Sequence, residues 1–139
     1  MDKILSLDYG KRRTGVAVSD GTHSIAFTRN TLSFRKEETL VKEIAKICEL
    51  ENIKKIVIGL PCNMRGENTP QTESTVAFAE RLKNHTKDIE IEMFDERLSS
   101  LQAQKSLVEK KMKKYSEIDS IAAQIILQAY LDKNKRTKR

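Results

Sequence analysis

The order of strand-like and helix-like segments constrains the fold of this chain more than any other feature of its sequence. Three short runs rich in apolar and β-branched residues come first, and helical spacing begins only after Arg35. Helix-like and strand-like segments then alternate, and two helices follow. Because hairpins join antiparallel strands and helical crossovers join parallel ones, the order βββαβαβαα predicts an α/β domain. We expect a mixed five-stranded sheet with helices on both faces.

The five predicted strands differ in how they end. The first ends in an Asp-Tyr-Gly turn, the second follows closely enough to form a hairpin with it, and the third is expected at the edge of the sheet. The fourth is closed by Pro61, which a central strand would not easily accommodate. The predicted strands run from Lys3 to Asp8, Thr14 to Ser19, Ser24 to Leu32, Ile53 to Leu60 and Ile89 to Glu96.

Four helices are predicted from apolar residues that recur at three- and four-residue steps, at about residues 40–48, 72–87, 99–111 and 116–131. Cys48 falls on the apolar side of the first helix, so we expect its thiol to pack in the core. The second helix should turn Val76, Ala79 and Leu82 inward, and a polar stretch before it, NMRGENTPQT, is expected to be a mobile loop. The apolar stripe of the last helix consists of Ile118, Ile121, Ala122, Ile125 and Ala129.

Length and composition indicate one basic domain. The 139 residues fit a single domain over residues 1–132, followed by a basic tail over residues 133–139 that is expected to be disordered or to lie on a phosphate backbone. A net charge of +6 favours a polyanionic partner, although a basic surface could equally serve solubility. The two cysteines lack CxxC or disulfide-framework spacing, and no apolar run approaches the roughly 20 residues of a membrane span. We therefore expect a cytoplasmic protein.

Acidic residues stand at the predicted ends of three elements. Asp8 closes the first strand beside a glycine-bounded basic turn, where an Asp commonly bonds nearby backbone N–H groups instead of serving in a site. Asp95 and Glu96 close the fifth strand, and alternation does not decide which of them faces a site. Either could also form a surface ion pair with Arg97. Asp119 begins the last helix and resembles part of a capping box.

These acidic positions have a shared interpretation. They are far apart in sequence, yet parallel pairing of the first, fourth and fifth strands could gather them at one edge of the sheet. Clustered carboxylates repel one another and raise their own pKa values unless a cation neutralises them. Hard oxygen ligands suit Mg²⁺ or Mn²⁺, and two such ions about 4 Å apart can activate water and stabilise the leaving oxygen in phosphodiester hydrolysis.

Four motifs occur in a fixed order along nearly the whole chain. They are Asp8-Tyr9-Gly10 with Arg13-Thr14-Gly15-Val16-Ala17, Gly59-Leu60-Pro61 with Asn63 and Gly66, Asp95-Glu96-Arg97-Leu98-Ser99, and Asp119-Ser120-Ile121-Ala122-Ala123. This ordered set resembles the YqgF family of pre-16S rRNA nucleases, which belongs with the RuvC-type, Holliday junction resolvase-like enzymes in the RNase H-like superfamily.

The resemblance implies a fold, an activity and a site. The fold is the RNase H-like sheet with the first strand at its centre. The implied activity is that of a hydrolase, namely a nuclease that processes the 5′ end of pre-16S rRNA in ribosome biogenesis. The implied catalytic and metal-binding residues are Asp8, Glu96 and Asp119, with Mg²⁺ or Mn²⁺ as cofactor. RuvC-type enzymes carry an acidic residue at the end of the fourth strand, whereas here Gly59-Leu60-Pro61 occupies that place and the ligand has moved to the fifth strand.

Cations on turns beside the implied site are candidates for binding phosphate. They are Lys11, Arg12, Arg13, Arg65 and Arg97, of which Arg13 and Arg97 are the strongest candidates. Each could instead be a solvated surface charge. His23 and His85 lack partners at metal-site spacing and are assigned no role. Aromatic residues make up only 5%, which favours recognition of a nucleic-acid backbone over stacking on bases.

Three functions remain open at this point. The first is metal-dependent hydrolysis of structured RNA, such as precursor rRNA in a ribosomal particle, with cleavage of a DNA junction as its alternative. The second is a non-catalytic RNA-binding factor in ribosome assembly or transcription. The third is ATP binding, since Asp8, Gly10 and Gly15 also resemble the phosphate hairpin of actin-like and sugar-kinase folds. Those folds close two lobes around the nucleotide, whereas this chain has the length of one. Either a monomer or a homodimer is compatible with the sequence.

Overall fold

The fold is described by a computed structural model that covers residues 2–111 and 115–137. The strands are β1 (Lys3–Asp8), β2 (Arg13–Ser19), β3 (Ala26–Ser33), β4 (Ile53–Leu60) and β5 (Glu90–Asp95). The helices are α1 (Glu37–Leu50), α2 (Pro70–His85), α3 (Leu101–Lys111) and α4 (Tyr115–Thr137), and one turn of 3-10 helix (Glu96–Leu98) follows β5. The predicted element order is confirmed.

The five strands form one mixed sheet in the order β3-β2-β1-β4-β5, so β1 lies at its centre. β2 pairs antiparallel with both β1 and β3, whereas β4 pairs parallel with both β1 and β5. The carboxyl ends of β1, β4 and β5 therefore meet at one edge of the sheet, as the sequence suggested.

Each face of the sheet covers a separate hydrophobic core. On one face Leu5 and Ile58 pack with residues of α1 and α2. On the other face Ile4 and Phe94 pack with α4 and the start of α3. Because side chains alternate along a strand, Asp8 at the end of β1 shares the α4 face with Ile4. The two cores confirm that helices cover both faces.

Buried hydrogen bonds fix the first turns of α4 to the sheet. The Ser6 hydroxyl donates to the Ala123 carbonyl at 3.1 Å, and the Ser120 hydroxyl accepts from the Val16 N–H at 3.3 Å. The Ser120 oxygen also lies 2.6 Å from the Thr31 hydroxyl oxygen, so this side chain connects α4 to both β2 and β3. These contacts hold the segment that carries Asp119 over the antiparallel part of the sheet.

The loop between β4 and α2, predicted to be mobile, has a defined hydrogen-bonded turn. The Asn63 side-chain carbonyl accepts the backbone N–H groups of Arg65 and Glu67 at 3.0 and 2.9 Å. A reciprocal capping box between Thr69 and Thr72 then begins α2, with Pro70 at the first helical position. The turn and cap satisfy backbone groups that a loop of this composition would otherwise leave to solvent.

Two predictions about helix faces need correction. Val76 was expected inside, but it is 43% exposed, because α2 buries Thr75, Phe78, Ala79 and Leu82. The predicted stripe of α4 is only partly buried, and the fully buried side is one residue further along. The stripe consists of Ile118, Ile121, Ala122, Ile125 and Ala129, whereas the buried residues are Ala123, Ile126, Leu127, Tyr130 and Leu131.

The C-terminal helix is longer than the sequence suggested. α4 continues to Thr137, so part of the segment 133–139 that was predicted as a disordered tail is helical, and residues 138–139 lie outside the described residues. Cys48 lies in the core as predicted, and burial raises the pKa of its thiol to about 12. Among the described helices, none combines the length and the apolar character needed to cross a bilayer.

Candidate active site

A glycine on β2 allows α4 to approach the end of β1. Gly15 pairs with Asp8 in the β1–β2 register. A Cβ atom placed on Gly15 would lie 1.8 Å from the Asp119 carbonyl oxygen and 2.9 Å from the Ser120 backbone nitrogen. Any residue with a side chain would clash with the helix backbone here, and α4 therefore packs directly on Gly15. This contact places Asp119 beside Asp8, on the same face of the sheet.

A second glycine has the corresponding position on β4. Gly59 follows Ile58, which pairs with Leu7 of β1. A Cβ atom on Gly59 would lie 3.3 Å from Cγ and 3.4 Å from Oε1 of Glu96. The end of the Ile126 side chain is closer, at 2.6 Å, so Ile126 and Glu96 together fill the space that a side chain at this position would take. The carboxylate that follows β5 is thus brought toward the central strand.

Asp8, Glu96 and Asp119 line one pocket of about 340 Å³. Each comes from a different element, namely β1, the 3-10 turn after β5, and α4. Other residues that line the pocket include Tyr9, Arg13, Pro61, Gln71, Ile118 and Ile125. The structure therefore places the three acidic positions that the sequence proposed on the walls of one pocket.

The structure also distinguishes the two neighbouring carboxylates after β5. Asp95 is not among the residues that line the pocket. Its carboxylate accepts the Arg97 backbone N–H at 2.9 Å and pairs with the Arg97 guanidinium at 2.6 Å. Hydrogen bonding by Arg97 lowers the pKa of Asp95. Glu96, the first residue of the 3-10 turn, lines the pocket instead, with its side chain beside Gly59.

An ion pair occupies one side of the pocket. The Arg13 Nε lies 3.0 Å from Oδ2 of Asp119, with 41% of the arginine side chain and 26% of the aspartate side chain exposed. The Arg13 guanidinium thus neutralises the Asp119 carboxylate inside the pocket. Arg13 is the residue of β2 that begins the strand, and it reaches Asp119 because α4 crosses at Gly15.

The carboxylate oxygens that line the pocket are donors that suit a divalent cation. Asp8, Glu96 and Asp119 offer hard carboxylate oxygens, which Mg²⁺ and Mn²⁺ prefer. Their side chains are not drawn together, however: within residues 2–111 and 115–137, no three His, Cys, Asp or Glu side chains form a group that could hold a metal ion. The donor set fits a metal, while one of its members is bound to Arg13.

Tyr9 is a pocket residue to which the sequence analysis gave no role. Its hydroxyl donates to Oε1 of Glu37 at 2.8 Å, and its ring stacks on Phe78 with 4.2 Å between the ring centroids. Arg81 binds the same Glu37 carboxylate. Burial, followed by the contact with Glu37, raises the pKa of Tyr9 to about 12, so the phenol stays protonated. The motif that contains Tyr9 was visible in sequence, but its partners on α1 and α2 were not.

The predicted phosphate-binding cations lie in three different settings. Arg13 lines the pocket, whereas Lys11 is exposed on the turn between β1 and β2. Arg65 is exposed in the loop after β4. Arg97 is bound to Asp95, and its guanidinium lies against Gly66, where an added Cβ would be 2.7 Å from Nη1. Gly66 has a φ of 81°, a conformation that also favours glycine.

This chain is similar to known proteins in both sequence and fold. Residues 2–133 match the RuvX family, described as Holliday junction resolvase. A Chloroflexus aurantiacus protein named "Putative pre-16S rRNA nuclease" is 41% identical over 132 residues, which cover 93% of this chain and 86% of the relative. A relative of the same name from a Sulfurihydrogenibium species is 44% identical over 136 residues, which cover 96% and 92%.

Solved structures with little sequence identity share the fold. The structure of Thermus thermophilus RuvC in complex with a Holliday junction substrate aligns with a TM-score of 0.63 at 11% identity, covering 99% of this chain and 98% of the other. A fowlpox virus resolvase in complex with Holliday junction DNA aligns with a TM-score of 0.57 at 13% identity, covering 95% and 98%. Both confirm the RNase H-like arrangement of sheet and helices.

Proposed function

Because this chain belongs to the RuvX Holliday junction resolvase family, a family of nucleases, we propose that its acidic pocket hydrolyses phosphodiester bonds with the help of divalent metal ions. The observation that carries this proposal is the convergence of Asp8, Glu96 and Asp119 from three separate elements on one pocket. We further propose that the substrate is the 5′ end of pre-16S rRNA. The name shared by relatives at 41% and 44% identity supports that choice of substrate.

The three carboxylates are the residues that would hold Mg²⁺ or Mn²⁺. Bound there, the ions would activate water and stabilise the leaving oxygen. The chain itself supplies rigidity, since Asp8 ends the central strand and Asp119 lies on a helix that buried hydrogen bonds fix to the sheet. A site held in this way keeps its carboxylates in place while a large substrate binds.

Four cations are proposed to hold substrate phosphates. Arg13 lines the pocket and presents a guanidinium that suits phosphate oxygens. Lys11 and Arg65 lie on exposed segments next to the strand ends. Arg97 contributes only if a phosphate replaces the Asp95 carboxylate, because that carboxylate binds its guanidinium in the structure.

Cleavage of precursor 16S rRNA by the purified protein tests the proposed function. With Mg²⁺ or Mn²⁺ present, we expect cleavage near the mature 5′ end and none after treatment with EDTA. Asp8→Asn, Glu96→Gln and Asp119→Asn should each slow cleavage by about 100-fold or more, the scale seen when one transition-state contact is removed. Asp88→Asn, which removes an exposed carboxylate before β5, should cleave at the wild-type rate.

Other outcomes would support different functions. Unchanged cleavage by Asp8→Asn would contradict the proposed site. Cleavage of a four-way DNA junction without cleavage of precursor rRNA would favour a resolvase. Binding of precursor rRNA that weakens with salt, without turnover in any metal, would favour the non-catalytic binding factor.

A further inference from the structure

A broad basic groove lies beside the acidic pocket, between the β1–β2 turn and the segment that joins β3 to α1. It encloses about 1000 Å³ and opens widely to solvent. Five cations line it, and its other lining residues are uncharged. The cations are Lys11, Arg12, Arg13, Arg35 and Lys36. The groove therefore concentrates positive charge at one place on a chain whose net charge is +6.

Backbone pairing holds the two halves of the groove together. Arg13 pairs with Ser33 in the β2–β3 register, and the Phe34 N–H donates to the Arg12 carbonyl at 3.0 Å. The cations of the turn and those that precede α1 are thus fixed side by side although they are more than 20 residues apart in sequence. Like charges repel, so an arrangement that the backbone holds in this way favours an anion in the groove.

Four of the five groove cations differ from other surface arginines of the described chain in having no carboxylate partner, whereas the fifth, Arg13, pairs with Asp119. Arg29 and Arg81 each bind a glutamate of a neighbouring segment. Lys11, Arg12, Arg35 and Lys36 are exposed, and none of these four takes part in an ion pair with any residue that the structure describes. Their charges remain available to a ligand.

Arg13 lines both the groove and the acidic pocket, so the two are neighbours on the surface. A nucleic acid with its scissile bond in the pocket presents further phosphates at spacings of a few ångströms on either side. Ser33 and Thr39 add hydroxyl groups to the groove, and hydroxyls are common donors to phosphate oxygens. We propose that this groove binds the phosphate backbone of the substrate on one side of the cleaved bond.

This inference rests on the proposed function only in taking nucleic acid as the substrate. It gives Arg35 and Lys36 the phosphate-binding role for which the sequence already made Arg12 a candidate, and all three lie outside the acidic pocket. Contacts with phosphates fix position without reading sequence, so the groove would select structured nucleic acid by its backbone. The three residues are also exposed, so their substitution tests binding without disturbing the core.

The test compares two triple variants that lose the same charge, both in an Asp8→Asn background so that the RNA stays intact. One variant combines Arg12→Gln, Arg35→Gln and Lys36→Gln. The other combines Lys54→Gln, Lys83→Gln and Lys87→Gln, three exposed lysines at the start of β4, the end of α2 and the turn after it. Fluorescence anisotropy measures binding of a precursor rRNA fragment over a range of KCl concentrations, and circular dichroism confirms folding.

We expect the groove variant to bind about 10-fold or more weakly than the parent at physiological salt. The slope of log K against log salt should become less steep by about 0.7 to 0.9 for each phosphate contact that is lost. The distal variant should change affinity less than threefold, about 0.6 kcal/mol.

Equal affinity of the two variants would overturn the inference, whatever the wild type cleaves. Failure of the wild-type protein to cleave RNA, with affinity still lost in the groove variant, would reject the nuclease proposal and leave the groove intact. The two failures are therefore distinguishable.

Discussion

Arg13 and Asp119 show how a single residue can balance the charge of the pocket. Three carboxylates line the pocket, and the guanidinium neutralises one of them at 3.0 Å. The same residue also belongs to the basic groove. A metal ion that binds Asp119 would therefore compete with this guanidinium. The competition can be measured without any nucleic acid.

Replacing Arg13 by glutamine should strengthen the binding of Mn²⁺ to the protein alone. The variant frees the Asp119 carboxylate, and a half-exposed ion pair contributes up to about 1 kcal/mol, which corresponds to about a fivefold change in affinity. Titration followed by electron paramagnetic resonance measures free Mn²⁺. Arg97→Gln, whose partner Asp95 lies outside the pocket, serves as the control and should leave the affinity unchanged. Weaker Mn²⁺ binding by Arg13→Gln would show that the ion pair does not compete with the metal.

The Tyr9–Glu37–Arg81 contacts allow a prediction about titration. The pKa of Glu37 is lowered mainly by its hydrogen bond with Arg81 and less by that with Tyr9. Carbon-13 NMR of the carboxyl groups should therefore show that Arg81→Gln raises the pKa of Glu37 more than Tyr9→Phe does. The opposite ranking would contradict these contacts of Glu37.

The sign of the accompanying stability change follows from the direction of that shift. A carboxylate whose pKa is lower in the folded state stabilises the protein above its ordinary pKa of about 4.3, and this contribution is lost as the pH falls through the folded value. Arg81→Gln should thus lower the free energy of unfolding at pH 7, and the difference from wild type should shrink below about pH 4. Urea denaturation at both pH values measures it.

At the scale of elements, two glycines determine how the carboxylate-bearing segments meet β1. They are not equivalent, because Gly15 faces the backbone of α4 whereas Gly59 faces the Cδ1 end of the Ile126 side chain and the Glu96 side chain. A helix backbone cannot move away without losing its packing, but flexible side-chain ends can shift. The same substitution should therefore have different effects at the two positions.

Gly15→Ala should destabilise the fold by about 3 kcal/mol or more, the upper range for overpacked cores, because α4 must lift from the sheet. Gly59→Ala should cost less stability, about 1 to 2 kcal/mol, but displace Glu96 and slow cleavage. Urea denaturation and cleavage rates on the same preparations separate the two effects. Normal stability of Gly15→Ala would contradict the close contact with Asp119.

Sequence periodicity predicted most elements because strands and helices of this chain have different spacing of apolar residues. It did not predict the buried face of α4, where Ile125 and Ile126 are adjacent and both apolar, so the pattern fits two neighbouring stripes. It also left Asp95 and Glu96 undecided. Alternation applies only as far as the strand continues, and the sequence did not show that β5 ends at Asp95 and that Glu96 begins a 3-10 turn.

The candidate site was predictable where motifs stand at strand ends, as with Asp8. It was not predictable where contacts join distant segments. The Arg13–Asp119 pair spans 106 residues, and the Tyr9–Glu37 hydrogen bond spans 28. Neither partner is marked by spacing or composition, because such pairs depend on how the sheet orders its strands.

For the whole molecule, binding of a metal should couple to folding. If the pocket holds Mn²⁺ only when β1, α4 and the segment after β5 are assembled, the ion stabilises the folded state by about 2.7 kcal/mol at a concentration 100 times its dissociation constant. Thermal unfolding should show a higher Tm with Mn²⁺ for wild type and a smaller rise for Asp119→Asn. An equal rise in both would place the bound metal elsewhere.

The packing of α4 on Gly15 also has a consequence for the nascent chain. Asp8 on β1 is synthesised well before the helix that carries Asp119. A nascent chain in which α4 has not yet left the ribosome therefore lacks one wall of its pocket. The proposed nuclease would acquire the capacity to cut RNA only after α4 has been synthesised and packed on Gly15, which would protect its own message and the translating ribosome from premature cleavage.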